Sequence, residues 1–308
     1  MELANFDLCK RIKGHGYRGH TGKKFACLYD NDIWMVKFSR PSKEVTNGFS
    51  SSHIPSSISE FIGSYIYKSL GIDVHETILG YCEGEIVVGC KDFAINARLL
   101  EYVQIKNTVA EEFILGSYGS SQQGELLADA LNTINFSEDF TDVKGRAIER
   151  FWDMFVIDAF IHNINRNNEN WGLLINGSSI DLAPVYDNGD AFFCGANFPS
   201  GMAQTEKEVL IKEAALAGWS FFLENNGKKI NPLEYMKTTE NKDCLEALKR
   251  FSKRLNLNEI LAFIQAIPNE AFGLVVISDE QKSFCKSFLK KTYEDGILPV
   301  LKQRNFHS

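Results

Sequence analysis

The 308-residue sequence predicts an α+β protein with a small β-rich N-terminal lobe and a larger, mostly helical C-terminal lobe. Short runs rich in β-branched and aromatic residues, bounded by turn formers, dominate residues 1–95. Longer stretches with helical apolar spacing dominate residues 96–308. One strand-and-turn interval, 171–193, lies between these helical stretches. We therefore divide the chain into an N-lobe, residues 1–95, and a C-lobe, residues 96–308.

The N-lobe is predicted to contain four clear strands and one helix. Residues 23–30 and 32–40 read as strands joined by a turn at Asp30-Asn31-Asp32. Residues 58–71 have helical spacing, and Gly71 is placed as the stop. Residues 76–93 read as two strands joined at Glu83-Gly84-Glu85. The C-lobe helices are predicted at 108–116, 122–134, 143–162, 204–224, 243–265 and 279–303.

Composition excludes several classes of protein. A net charge of −7 argues against a nucleic-acid binder that works by neutralising phosphates. No apolar run is long enough for a membrane span, and the N-terminus lacks the pattern of a secretory signal. The seven scattered cysteines form neither a zinc motif nor a disulfide framework, which favours free thiols in a reducing compartment. We expect a cytoplasmic protein without a membrane or a nucleic acid as a direct partner.

Lys37 is the first candidate site residue. It lies in an apolar strand, where alternation places Met35 and Lys37 on the face opposite Trp34 and its apolar neighbours. A lysine there either extends to the surface or has a buried partner. Glu60, at the start of the following helix, is the candidate partner, although an acidic residue in a first helical turn is also favoured by the helix dipole.

A glycine-rich segment, 14–24, precedes the strand of Lys37. Such loops let backbone amides approach phosphate oxygens. Gly19, Thr21 and Gly22 are the candidate phosphate-binding residues. The segment matches neither GxGxxG nor GxxxxGK[ST], so its position before Lys37 is what supports it.

Polar residues are concentrated in 162–170, between a long apolar helix and a strand. Phosphoryl transfer relies on positioning and on charge neutralisation, and in a protein kinase a metal-binding asparagine lies five residues after the catalytic aspartate. Asn170 fits the position of the metal-binding asparagine, and Asn165 stands at the position of the catalytic aspartate. Asp187, which follows the returning strand, is a further candidate ligand for magnesium, which prefers oxygen donors. Asn-rich turns are common in their own right, but this order after a β-rich lobe favours a site and a bilobal, protein-kinase-like fold.

At these residues the chain resembles the HipA family of bacterial serine/threonine kinases, and within it the compact CtkA-like members. The resemblance spans roughly residues 17–195. It is carried by MVKF (35–38), ISEFIG (58–63), GIDVHETILG (71–80), VGCKDF (88–93), FIHNINRNNENWGLL (160–174) and IDLAPVYDNGDAF (180–192).

The resemblance implies that Lys37 contacts the phosphates of ATP, that Glu60 lies beside it, and that Asn170 and Asp187 bind magnesium. It also implies a hinge against adenine at residues 90–93, contributed by Cys90, Lys91 and Phe93. Asn165 departs from the pattern because it replaces the catalytic aspartate, and losing a general base typically costs about 10²–10⁴-fold in rate. The chain is therefore expected to be inactive as written. Either an introduced Asp→Asn change or a natural pseudokinase would explain this, and the otherwise intact positions favour the first.

The predicted function is that of an ATP- and magnesium-dependent serine/threonine protein kinase, a toxin or an effector. Its partners would be a protein substrate and an antitoxin, and delivery to a host cell is an alternative to a purely cytoplasmic role. Two other functions stay open. A phosphatidylinositol-type lipid kinase would also explain the spacing of Arg166 and Asn170, and a nucleotide-binding pseudokinase would bind ATP without turnover.

Overall fold

Six strands of the N-terminal part form one sheet in the computed structural model, which describes residues 1–17, 22–39, 54–113, 124–192 and 202–306, with the backbone alone at 110–113. The sheet order is β1-β5-β6-β4-β3-β2. The β1–β5 pair is parallel, and the other pairs are antiparallel. The strands are β1 (Ala4–Asn5), β2 (Lys10–Arg11), β3 (Lys24–Tyr29), β4 (Asp32–Phe38), β5 (Thr77–Cys82) and β6 (Glu85–Lys91).

The two predicted hairpins are confirmed. Asp30 and Asn31 both have positive φ, which is the backbone that a tight turn between twisted antiparallel strands requires. Glu83 and Gly84 provide the same backbone between β5 and β6. The edge strands β1 and β2 have two residues each, too short to be recognised from a residue pattern.

Helix α1 (Ser56–Ser69) packs against β5 and β6 on the face that carries Lys37. It starts two residues before the prediction and ends at Leu70, before Gly71 with φ of +71°. Its apolar face joins the main core through Ile58, Ile62 and Ile66. A smaller core lies on the other face of the sheet, around Phe6, Cys27, Trp34, Val36, Phe38 and Val87.

The remaining elements are mostly helical, as predicted, with short strands among them. Strand β7 (Arg98–Glu101) pairs with β9 (Gly172–Asn176), which pairs in turn with β10 (Ser179–Leu182). The other strands are β8 (Glu125–Leu126), β11 (Phe222–Leu223), β12 (Glu270–Ala271) and β13 (Leu274–Val275). The helices are α2 (Tyr102–Phe113), α3 (Leu127–Phe136), α4 (Lys144–Ile161), α5 (Gln204–Leu216), α6 (Pro232–Thr238), α7 (Lys242–Arg254), α8 (Leu257–Ala266), α9 (Asp279–Lys291) and, after a π-helical turn, α10 (Leu298–Gln303).

Four predicted C-lobe helices are wrong in extent. Helix α2 begins at Tyr102 rather than at 108. Helix α3 begins at Leu127 rather than at 122, because residues 125–126 pair with β11 as strand β8.

The other two differences lie nearer the C-terminus. The segment 243–265 forms two helices, α7 and α8, because Asn256 interrupts the first and its side chain accepts a hydrogen bond from the Glu259 amide to begin the second. Helix α5 ends at Leu216 rather than continuing to 224. Gly218 follows, where an added Cβ would lie 2.5 Å from the His162 ring. The α+β class is confirmed, while the lobe boundary at 95/96 stays a prediction.

Candidate active site

Lys37 is placed by strand alternation in β4. Trp34, Val36 and Phe38 are buried in the small core, so Lys37 emerges on the opposite face, towards α1. Its Nζ donates hydrogen bonds to Glu60 Oε2 at 2.7 Å and to Asp187 Oδ1 at 2.8 Å. Burial alone would lower the pKa of Lys37, but the charges of Asp187 and Glu60 outweigh it and hold that pKa well above its usual value. The ammonium is therefore charged throughout the physiological range.

Glu60 is fully buried, and both of its carboxylate oxygens have partners. Oε2 accepts from Lys37, while Oε1 accepts from the His75 ring at 3.0 Å and from the Asn188 amide at 2.7 Å. Burial favours the neutral acid, yet Lys37 and His75 lower the pKa of Glu60 well below 4.5. Glu60 therefore remains an anion that orients Lys37.

The ligand atoms of Glu60, His75 and Cys90 lie within 4.8 Å of one another, a separation that a metal ion could bridge. The contacts of Glu60 favour a different interpretation, because its two oxygens are already occupied by Lys37, His75 and the Asn188 amide. Burial also raises the pKa of the Cys90 thiol well above its usual value, which keeps it protonated and a poor ligand. We interpret the group as the support of Lys37.

Asp187 lies in the loop that follows β10, and its backbone has a φ of +58°. Non-glycine residues in this region carry strain that neighbouring contacts must offset, and such positions cluster at functional sites. Its side chain is 38% exposed, so a carboxylate oxygen can reach the cleft while another contacts Lys37.

Arg166 ties the Asp187 loop to the polar loop 162–170. This buried guanidinium is paired with Asp158 of α4 at 2.9 Å and donates to the carbonyl oxygens of Asn170 and Tyr186. It also donates to Asn188 Oδ1 at 2.6 Å. Because the residues on both sides of Asp187 bond to the same guanidinium as Asn170, the two candidate metal-ligand loops are held in a fixed relation.

Asn188 replaces the phenylalanine of a kinase Asp-Phe-Gly sequence and is completely buried. Besides its bonds to Arg166 and Glu60, its amide nitrogen donates to Ser64 Oγ of α1 at 3.0 Å. A Cβ added at Gly63 would lie only 2.8 Å from the Asn188 Cβ. The hydrogen bond from Asn188 to Ser64 and the close contact of Asn188 with Gly63 thus join α1 to the Asp187 loop.

Asn170 and Asn165 adopt different roles within the polar loop. The Asn170 amide nitrogen donates to the Asn165 backbone carbonyl at 2.7 Å, so its side-chain oxygen is the atom suited to a cation. The Asn165 amide nitrogen donates to Asp190 Oδ2 at 2.8 Å. Asn165 is therefore oriented as a donor, the opposite of a catalytic base.

A polar cleft, partly open to solvent, lies between the sheet and these loops. Its lining includes Lys37, Asn165, Asp187 and Asp190, together with Lys23, Lys24, Phe38, Ser56, Ser57, Val88 and Gly189. The cationic amines and the carboxylate oxygens of this lining suit a nucleotide triphosphate with its magnesium ion.

The other residues predicted to bind the nucleotide differ in where they lie relative to the cleft. Gly19 and Thr21 lie outside the described residues, and Gly22 has φ of +79°, a backbone that suits glycine. Cys90 shares the face of Lys37, because it pairs with Met35 across β4 and β6.

The side chain of Lys91 extends from the other face of the sheet and pairs with Asp32 at 2.7 Å. Lys91 would therefore reach adenine only through its backbone carbonyl, since its amide donates to the Glu76 carbonyl. Phe93 packs on Tyr186, with ring centroids 5.5 Å apart, beside the Asp187 loop.

Sequence reasoning did not identify four residues of this site, namely His75, Ser57, Asn188 and Asp190. Ser57 lies in the first turn of α1, and its Oγ bonds Ser39 Oγ at 2.7 Å beside the cleft. Asn188 reads as a turn former within Asp187-Asn188-Gly189. Asp190 had a usable signal, since it is a second acidic residue three positions after a candidate metal ligand.

Comparisons with known proteins agree with this architecture. The chain is 33% identical over 277 residues to the serine/threonine-protein kinase CtkA of Helicobacter pylori, a match that covers 87% of this chain and 80% of that protein. The crystal structure of CtkA, described as a proinflammatory kinase, superposes with a TM-score of 0.78 and 28% identity over 98% of each chain. No family model matches the chain.

HipA of Shewanella oneidensis, crystallised with HipB and operator DNA, shares the fold, with a TM-score of 0.55 and 12% identity over 96% of this chain and 67% of HipA. The predicted bilobal, protein-kinase-like fold is thus confirmed, and it defines the class of this protein. The chain belongs to the HipA-like family of serine/threonine kinases, with CtkA as a relative. Within the described ranges, no helix combines the length and the apolar character needed to cross a membrane.

Proposed function

We propose that the protein is an ATP- and magnesium-dependent serine/threonine protein kinase of the HipA-like type. The observation that carries the proposal is the contact of Lys37 with both Glu60 and Asp187, at 2.7 and 2.8 Å. An ammonium group has three N–H donors, so a phosphate oxygen can be bound beside these two carboxylates.

The residues of the cleft suit magnesium with a nucleotide. Asp187 offers a carboxylate oxygen and Asn170 an amide oxygen, the hard donors that magnesium prefers. Magnesium, when bound, neutralises charge on the phosphates. Glu60 orients Lys37, Lys37 binds phosphate, and Arg166 keeps the two ligand loops in place. The backbone at residues 90–93 would face adenine.

Asn165 is the observation that favours a second candidate, a pseudokinase. Its side chain carries no carboxylate, and it donates a hydrogen bond to Asp190. If transfer depended on a base at position 165, turnover would be lower by about 10²–10⁴-fold than with aspartate there. A pseudokinase would bind magnesium–ATP without phosphoryl transfer, even with aspartate at position 165.

The biological role follows the family. We propose a bacterial toxin or effector that phosphorylates a protein in the cytoplasm or, after delivery, in a host cell. HipA was crystallised with HipB and operator DNA, so an antitoxin-like partner is the binding partner to seek by co-purification.

The test is a magnesium–ATP titration by calorimetry, followed by transfer from [γ-³²P]ATP to the protein itself, to lysate proteins and to phosphoinositide vesicles. We expect binding that depends on both magnesium and Lys37, and label on serine or threonine of protein. Label in vesicles alone would instead identify a lipid kinase. Failure of wild-type protein to bind magnesium–ATP would refute the proposal.

A further inference from the structure

Asp190 lines the cleft beside Asn165, the position where a kinase carries its catalytic aspartate. Its Oδ2 accepts a hydrogen bond from Asn165 Nδ2 at 2.8 Å, and both side chains line the cleft. Asp190 is partly exposed, so an incoming hydroxyl group can approach it.

The neighbouring contacts fix this pair in one orientation. The Asn167 amide nitrogen donates to Asn165 Oδ1 at 3.1 Å, which directs the Asn165 amide nitrogen towards Asp190. The turn that carries Asp190 is anchored on both sides, by the Ala191 amide to the Asn188 carbonyl and by the Phe192 amide to the Ile161 carbonyl at the end of α4. Phe192 is buried and has φ of +63°.

Asp190 is also the carboxylate best placed to serve an acceptor. Among the described residues that line the cleft, the carboxylates are Asp187 and Asp190. Asp187 is paired with Lys37 and is the proposed magnesium ligand. Asp190 contacts the amide of residue 165, which cannot itself take up a proton.

We propose that Asp190 is the general base of this protein, in place of residue 165. The inference rests on the proposed kinase function. A serine or threonine hydroxyl oxygen forms a bond to the γ-phosphorus, the bond from that phosphorus to the bridging oxygen breaks, and ADP leaves. The hydroxyl proton passes to the Asp190 carboxylate. Asn165 holds that carboxylate in position by donating one N–H.

The contact with Asp190 gives a physical reason for an amide rather than a carboxylate at residue 165. An aspartate at both positions would place two carboxylates about 2.8 Å apart, where both cannot ionise without a large cost. In this chain an amide at 165 meets the carboxylate at 190, so the contact brings no two negative charges together.

Four forms of the full-length chain test this: wild type, Asp190→Asn, Asn165→Asp and the exchange Asn165→Asp/Asp190→Asn. Asp181→Asn is the matched control, because Asp181 is exposed and pairs with Arg146 away from the cleft. Each form is assayed for magnesium–ATP affinity, for magnesium requirement and for single-turnover phosphoryl transfer.

We expect wild type to transfer phosphate and Asp190→Asn to be slower by about 10²–10⁴-fold, with its magnesium–ATP affinity and magnesium requirement within about twofold of wild type. The exchange variant should recover at least tenfold over Asp190→Asn, because it restores one carboxylate and one amide. The Asp181→Asn control should equal wild type.

Thermal unfolding without nucleotide provides a readout independent of activity. Asn165→Asp should lower Tm by roughly 2–5 °C, and adding Asp190→Asn should reverse most of that loss, since coupled neighbours are non-additive. Additive changes in Tm would contradict the pairing.

Three outcomes would overturn the inference while leaving the kinase proposal standing. They are an Asp190→Asn rate equal to wild type, a raised magnesium requirement that makes Asp190 a metal ligand, and an Asn165→Asp single variant that gains activity over wild type. A wild type that binds magnesium–ATP but transfers nothing would also overturn it, in favour of the pseudokinase. A wild type without magnesium–ATP binding would instead refute the proposed function itself.

Discussion

Two groups of residues at the cleft are built from different chemistry. We name the first, Lys37, Glu60 and Asp187, the phosphate end after its proposed role; its cation lies within 2.8 Å of two carboxylates. We name the second, Asn165, Asn167 and Asp190, the acceptor end after its proposed role; its Asn167 amide bonds the Asn165 amide, which donates to the Asp190 carboxylate.

The difference shows how strongly each end constrains its residues. At the phosphate end, removing one charge leaves another buried without compensation, so this end tolerates little change. At the acceptor end, neutral amides can exchange places with a carboxylate without leaving a buried charge. A departure from the kinase pattern is therefore easier to accommodate at residue 165 than at Lys37.

The largest effect is expected from Lys37→Met. It removes the proposed phosphate contact, which should reduce phosphoryl transfer by about 10²–10³-fold. It also leaves Glu60 buried without its cation, at a cost of about 3–5 kcal/mol in the free energy of unfolding. Calorimetry with magnesium–ATP and urea unfolding measure the two effects.

Lys10→Met, on exposed strand β2, is the control and should change neither quantity. Unchanged magnesium–ATP affinity in Lys37→Met would show that the phosphate end is structural only.

A smaller effect is expected from Gly63→Ala, which tests the junction of α1 with the Asp187 loop. The new methyl group would lie 2.8 Å from the Asn188 Cβ. Such overpacking typically costs about 1–3 kcal/mol, and the shift should weaken magnesium–ATP binding through Glu60 and Asp187.

Gly145→Ala in α4 is the matched control, because a Cβ there meets nothing within 4 Å. It should be neutral or slightly stabilising. Equal stability of the two variants would mean that α1 can move away from the loop freely.

The pH dependence of the free energy of unfolding should show whether Glu60 at the phosphate end is ionised. Because the folded pKa of Glu60 is lowered below 4.5, its pairing stabilises the fold fully above about pH 4.5. That contribution is lost as the pH falls through the folded value. The stability advantage of wild type over Glu60→Gln should therefore shrink between pH 7 and pH 3 in denaturant titrations. An advantage that stayed constant would contradict an ionised Glu60.

The smallest effect is expected from Asn167→Ala. It removes one neutral hydrogen bond to Asn165, worth about 1 kcal/mol, so transfer should fall about fivefold while magnesium–ATP affinity is unchanged. Asn226→Ala, in an exposed turn, should match wild type in both measurements. A weaker magnesium–ATP affinity in Asn167→Ala would place this residue at the phosphate end instead.

Local patterns were sufficient for Lys37, Glu60 and the hairpins. An isolated lysine among apolar strand residues needs a partner, and the next helix offers an acid near its start. Local patterns were insufficient for Asn188 and Asp190, because an Asn-Gly-Asp turn has the same composition whether it closes a loop on the surface or packs against a helix. The end of α5 at Leu216 and the break between α7 and α8 at Asn256 were missed, because the packing of Gly218 against His162 and the capping by Asn256 depend on neighbours.

The sequence by itself determined the α+β class and supplied the candidate residues for a nucleotide and a cation, because these depend on periodicity and on residue chemistry. The tertiary structure alone decided that Arg166 joins the two ligand loops, that Asn188 joins them to α1, and that Asp190 contacts Asn165. Such contacts link residues that are far apart in the chain, as with Glu60 and Asn188, or depend on a turn geometry that composition does not specify.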